Sequence, residues 1–313
     1  VLNRRHLRLK VLQTIYAMLQ SDSDDLVKYE KTLLHSMQVM EDIYLLMMSA
    51  FVEIRQKEEE YIEVAKKKHL ATPEERNPNL KFVQNQVLLH LASLQDLKDR
   101  MEQRKLFYWK NNDDAILWLI QAIKESDLYQ DYLQDKKQSW ENDLAFVRKM
   151  FEEIIAPNNK LYELMEDNYM QWADDFPLVN SFILKQLKTW EKGRNAFQLS
   201  PLFKDLEDKD FALELFRKVM LNYKTLQKEY ENKTPNWDME RIALMDIILL
   251  NMAIAEFLYF SSIPIKVTIN EYLEIAKEYS TPNSAIFING VLDQLVKTEE
   301  NKTRYRKVGR GLM

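Results

Sequence analysis

The chain of 313 residues contains no cysteine, so it can form neither a disulfide nor a thiolate metal site. Glycine and proline are also scarce, at four and eight, which leaves few places where regular structure must stop. Rich in Leu, Met, Lys, Glu and Gln, such a sequence predicts an all-α protein without a sheet. Histidine occurs only at 6, 35, 69 and 90, so no two share a helical turn and no HExxH-type metal pair exists. There is no glycine-rich phosphate loop and no serine elbow. The acidic pairs Asp113-Asp114 and Asp174-Asp175 are sequence neighbours, and on a helix neighbours point in different directions. These absences favour binding over catalysis, and neither a metal nor a cofactor is expected. No segment joins a basic start to an apolar run and a small-residue cleavage site, which argues against secretion.

What is present is organised around Trp237–Leu295. Ile242 to Phe260 is almost continuously apolar, interrupted by Asp246, Asn251 and Glu256 at spacings of five that form no single polar stripe. A helix apolar on nearly every side belongs at the centre of a helical core, and its three polar residues argue against a membrane span. Asp238 is a candidate cap for it, with Trp237 packing on Ile242 as a hydrophobic staple. Thr268 and Glu271 have capping-box spacing before a short helix burying Ile269, Leu273, Ile275 and Ala276. Thr281 and Pro282 suit the start of a last helix with Phe287, Ile288, Val291, Leu292 and Leu295 inward. Gly290 within it costs about 0.8–1 kcal/mol against alanine, which close packing on the central helix would explain.

Net charge is −5, but unevenly distributed. Residues 1–10 and 297–313 each carry +4, leaving −13 on the rest. Arg4, Arg5 and Arg8 cluster at the start of a helix expected over 5–20, where they oppose the helix dipole. A bound phosphate would satisfy both these side chains and the free backbone N–H groups. Further helices are expected near 24–38, 40–70, 80–107, 112–124, 127–155, 160–172, 177–192 and 208–231, with boundaries at Pro73–Pro78, Pro157 and Gly193. Phe82 and the tryptophans at 109, 118, 140, 172 and 190 read as core residues more readily than as base-stacking platforms.

The run RRHLRLKVLQTIY near the start and IPIKVTINEYLEIAKEYSTPNSAIFINGVLD near the end resemble the bacterial transcription antitermination family NusB. The resemblance covers about residues 3–20 and 208–297. It divides the chain into a first helix (1–22), a helical insertion or expanded subdomain (23–206), a C-terminal helical bundle (207–300) and a basic flexible tail (301–313). The implied fold is all-α, NusB-like helical bundles with a large additional helical region.

That resemblance implies a non-enzymatic, cytoplasmic, RNA-binding protein. Its RNA would be the single-stranded boxA element of ribosomal RNA leader transcripts. Its partners would be a small-subunit ribosomal protein acting as NusE and the RNA polymerase elongation complex, with no membrane. RNA contact carries over onto Arg4, Arg5 and Arg8, with Gln13 and Tyr16 supporting their helix, and onto Asn283, Ser284 and Phe287 in the turn before the last helix. The tail residues Lys302, Arg304, Arg306, Lys307 and Arg310 would add flexible positive charge, and Glu256 and Tyr259 are candidates for a protein interface. One departure stands out: where the family commonly has basic residues in the central helix, this chain has Ile247 and Asn251. With the acidic insertion, that departure motivates a second reading, a helical interaction scaffold without RNA recognition. A third, a hydrolase assembled across the insertion, requires titratable groups converging on a deep pocket.

Overall fold

The computed structural model describes residues 2–168, 172–190, 197–203, 205–231 and 242–312, a few of them by backbone alone. Every regular element among them is helical. The chain opens with α1 (Arg4–Gln20) and α2 (Leu26–Lys66). Shorter helices follow: α3 (Pro73–Arg76), α4 (Gln86–Ser93), α5 (Gln95–Gln103), α6 (Tyr108–Asn111), α7 (Asp113–Lys124), α8 (Asp127–Gln134) and α9 (Trp140–Met150), which ends in a π turn. Next come α10 (Asn159–Asn168), α11 (Trp172–Thr189), α12 (Leu206–Leu221), α13 (Tyr223–Glu231) and α14 (Leu244–Tyr259). The last are α15 (Ile265–Tyr279), α16 (Ser284–Lys297) and α17 (Glu299–Arg304).

Two compact units share these helices, one of residues 38–202 and one of residues 2–37 and 203–313. The division falls inside α2. The helices expected over 24–38 and 40–70 are therefore one, because no glycine or proline interrupts Leu26–Lys66.

In the 38–202 unit, α9 packs on α4 and α11. Asn85 caps α4 through its side-chain oxygen, which accepts from Val87 and Leu88 N–H at 3.0 and 3.1 Å. The Tyr132 hydroxyl donates to buried Asp143 at 2.8 Å, and its ring stacks on Phe146 at 3.9 Å. Trp109, Trp140 and Trp190 are core residues, whereas Trp118 is partly exposed beneath the Lys160 ammonium and does not widen the core face of α7. The side chain of Trp172 and the turn at Gly193 lie outside the described residues.

The second unit is built around α14, which packs on α1, α12, α13, α15 and α16. Every residue from Ile248 to Phe257 is buried, as an all-round apolar helix requires. Its three polar side chains each serve a different neighbour. Asp246 accepts from the hydroxyls of Ser280 and Ser284 at 2.6 and 2.8 Å and so ties down the turn between α15 and α16. Asn251 accepts from the Tyr230 hydroxyl of α13 at 3.2 Å. Glu256, fully buried, receives Arg8 Nε and Nη2 at 2.6 and 2.9 Å, the Thr268 hydroxyl at 3.0 Å and the Tyr272 hydroxyl at 2.7 Å. Burial and the Glu256 charge hold the Tyr272 phenol well above its ordinary range.

Four local expectations are corrected. Helix α15 starts at Ile265 after Pro264, so Thr268 and Glu271 are not a capping box but lie within the helix and pair across it to Glu256 and Arg5. Helix α16 starts at Ser284, with Thr281 preceding it. The stretch expected as a flexible tail (301–313) is held to α14 and the turn after it at its described residues: Tyr305 is buried against Phe257, and the Val308 N–H donates to Ser261 O. Buried Lys307 donates to the carbonyls of Glu256, Phe257 and Phe260 at 3.0–3.3 Å, placing a cation at the C-terminal end of α14. Burial lowers the Lys307 pKa to about 8. Finally, Gly290 touches nothing a Cβ would meet, so close packing does not explain it. The expected Asp238 cap lies outside the described residues.

Glu256 sets the first test. Replacing Arg8 by Met strands a buried carboxylate and should destabilise the protein by about 3–5 kcal/mol in urea unfolding at pH 7. The double variant Arg8→Met/Glu256→Leu should recover part of that loss, because it removes the uncompensated charge as well.

Candidate nucleic-acid interface

Helical periodicity separates the three arginines. Arg4 and Arg8 are four residues apart and share one face of α1, where both guanidiniums lie over the Phe211 ring of α12, at 5.1 and 5.3 Å. Arg8 lies deep on that face, 2% exposed. With its charge consumed by Glu256, it is withdrawn from the RNA-contact set. Arg4, at the edge, is partly exposed and pairs with Asp208 at 3.2 Å.

Arg5 points outward, 43% exposed. Its Nε and Nη2 donate to the two oxygens of Glu271 on α15, at 3.0 and 2.9 Å. The Arg5 guanidinium, with Arg8 behind it, holds the Glu271 carboxyl below its ordinary range, against the opposing effect of burial. Between them His6 is half-buried, and burial, aided by the charges of Arg5 and Lys10, lowers its pKa to about 4. It therefore stays neutral near pH 7 and adds no charge to the cluster.

The turn after α15 presents a different set of residues from the one expected. The Ser284 hydroxyl is buried on Asp246, and Phe287 is buried in the core of α16, so neither is open to RNA. Both corrections follow from helix geometry: the first turn of α16 directs these two side chains inward, while Asn283, Ile286 and Asn289 remain outside. Ile286 is 76% exposed. Arg5 is tied to this turn through α15, since Glu271 lies about 12 Å along the helix axis from Tyr279.

Of the C-terminal basic residues, Arg304 forms a two-bond pair with Glu229 at 2.8–2.9 Å, Lys307 is buried, and Arg306 is exposed. The side chains of Lys302 and Arg310, and all of Arg241, lie outside the described residues. Glu256 cannot belong to a protein interface, because it has no surface. Tyr259 is partly exposed, with Lys218 over its ring at 4.8 Å. The acidic partners Glu271 and Asp208 were not legible as site residues, because each is joined to its arginine only by the fold.

The 38–202 unit holds a cavity of about 380 Å³ walled by Val52, Leu91, Leu97, Met101 and Phe107. Glu53 in its wall has a carboxyl raised by burial. Among the described residues no cluster of three or more His, Asp or Glu is placed to hold a metal, and no helix is long and apolar enough to cross a membrane.

These features can be set beside known proteins. The NusB family model matches residues 180–297. The transcription antitermination protein NusB of Salinibacter ruber is 40% identical over 123 residues, which span 39% of this chain and 77% of that protein. The protein of the same name from Chloroherpeton thalassium is 39% identical over 109 residues, spanning 35% of this chain and 52% of the relative. A solved T. maritima NusB structure covers 50% of this chain and 96% of its own at 24% identity, with a TM-score of 0.30, too low to bear on the fold. The chain belongs to the NusB family. Its relatives are transcription antitermination proteins, and most of its 38–202 unit lies outside the stretch the family model matches.

Gly290 sits exposed in α16 with open space where a Cβ would stand. Gly290→Ala should therefore stabilise the free protein by about 0.8–1 kcal/mol, read as a rise in Tm with unchanged helicity.

Proposed function

We propose that this chain is an RNA-binding transcription antitermination factor. It recognises boxA-like single-stranded RNA together with a small-subunit ribosomal protein, and acts in the cytoplasm on the RNA polymerase elongation complex. The observation that carries this reading is Arg5, an outward guanidinium joined through α15 to the turn that exposes Asn283. A guanidinium fork matches phosphate oxygens, and an exposed amide suits the edges of unstacked bases. Arg4 flanks Arg5, and Arg306 is a further exposed cation. Tyr259 is retained as a candidate contact for the protein partner.

One observation favours the scaffold reading instead. Arg4, Arg5 and Arg8 each already hold a carboxylate, so little free positive charge remains on α1. The pairs of Arg4 and Arg5 are partly exposed, and such pairs contribute about 0–1 kcal/mol each. An incoming phosphate can exchange with a partner held that weakly, which keeps RNA binding ahead.

Binding to boxA-like RNA should exceed binding to a scrambled RNA, measured by fluorescence anisotropy with and without the ribosomal protein. Arg4→Ala/Arg5→Ala should keep its helicity and bind at least about tenfold more weakly. Its salt dependence should flatten by about 1.4, or about 0.7 for each single-strand phosphate that is no longer neutralised. Unchanged affinity and salt slope in that variant would exclude the arginines from the site. A protein complex that survives both RNase and the double substitution would establish the scaffold reading in its place.

A further inference from the structure

We infer that Glu271 is an affinity-setting residue of the RNA site, a built-in competitor for the phosphate that Arg5 would bind; this inference rests on the RNA-binding reading above. The geometry is that of substitution. Arg5 turns its Nε/Nη2 edge to both oxygens of Glu271, at 3.0 and 2.9 Å, the same two-pronged arrangement by which a guanidinium takes two phosphate oxygens. In the free protein that edge is filled, so a phosphate reaches it only by displacing the carboxylate.

The surroundings make the exchange easiest for Arg5. Arg8 is buried on Glu256, and Arg4 lies over the Phe211 ring against Asp208, whose side chain is nearly buried. Arg5 and Glu271 are both accessible, at 43% and 21%. Glu271 also has a second cation in reach: its Oε2 lies 3.7 Å from Nη1 of Arg8, while Arg8 uses Nε and Nη2 for Glu256. When Arg5 swings outward to a phosphate, Glu271 stays on Arg8 rather than being left as an unpaired half-buried anion. The carboxylate thus has a resting place in both states, which lowers the cost of releasing Arg5.

The consequence is a lowered affinity for any RNA that uses the Arg5 fork. Displacing Glu271 costs the same whichever RNA drives it, and that cost enters each binding free energy once. Removing the competitor should therefore strengthen every RNA whose phosphate sits on Arg5, and an RNA bound without Arg5 should gain nothing.

The test uses the full chain, a boxA-like RNA, a scrambled RNA, and the near-isosteric substitution Glu271→Gln, with circular dichroism and thermal unfolding verifying the fold. Glu271→Gln should raise affinity for the boxA-like RNA by roughly tenfold, and for the scrambled RNA by that factor at most. The same substitution in an Arg5→Ala background should give little gain, because no fork remains to be released. An equal gain with and without Arg5 would mean that only a nearby negative charge had been removed, and would overturn the proposal. So would wild-type RNA binding that Glu271→Gln leaves unchanged, with the RNA-binding reading left intact. If neither wild type nor Glu271→Gln binds any RNA, both fall. Binding that emerges only in Glu271→Gln would support the competitor role directly.

Discussion

The second unit depends on one buried carboxylate. Glu256 lies near the end of a helix with no exposed residue between Ile248 and Phe257, where an ionised group is tolerable only if its oxygens are fully engaged. Four donors meet that requirement, two from Arg8 on α1 and one each from Thr268 and Tyr272 on α15. The arrangement fixes more than a local contact. It sets the rotation of α1 about its axis, so that Arg8 faces inward and Arg5, three residues earlier, faces outward to α15. The surface guanidinium owes its position to the buried one.

Asp246 plays the same part at the other end of α14. By accepting from Ser280 and Ser284 it pins both sides of the turn, and Asn283 is left pointing away. A helix whose polar residues form no stripe can thus support several neighbours at once. The spacing of five sends Asp246, Asn251 and Glu256 in three directions, toward the α15–α16 turn, toward α13, and toward α1 with α15.

The central position of α14 was legible in the sequence, because all-round apolarity has one structural meaning in a helical chain. The all-α class followed as directly from the shortage of glycine and proline. What the sequence did not show was partnership across long separations. Arg4, Arg5 and Arg8 look alike on paper, yet one is buried, one is edge-on and one is outward, depending on acids more than 200 residues away. Glu271 has capping-box spacing from Thr268, and local spacing gives no hint that both residues pair with other helices. Ser284 and Phe287 belong to a motif that marks the turn correctly, but the first turn of α16 faces them inward. The basic composition of the last residues suggested a loose tail, and composition does not reveal that Lys307 donates to three carbonyls at the end of α14.

The pairing of Arg8 with Glu256 spans 248 residues, and the whole 38–202 unit lies between them. At the usual pace of synthesis, about 5–20 residues per second, the carboxylate emerges roughly 12–50 s after the guanidinium. The interposed unit has its complete sequence on the ribosome before α1 can find its seat. Until then the apolar residues Leu7, Val11, Leu12 and Ile15 lack α14, one of the helices on which α1 packs. Contacts this distant along the chain assemble slowly, so the seating of the first helix waits until most of the chain has been made.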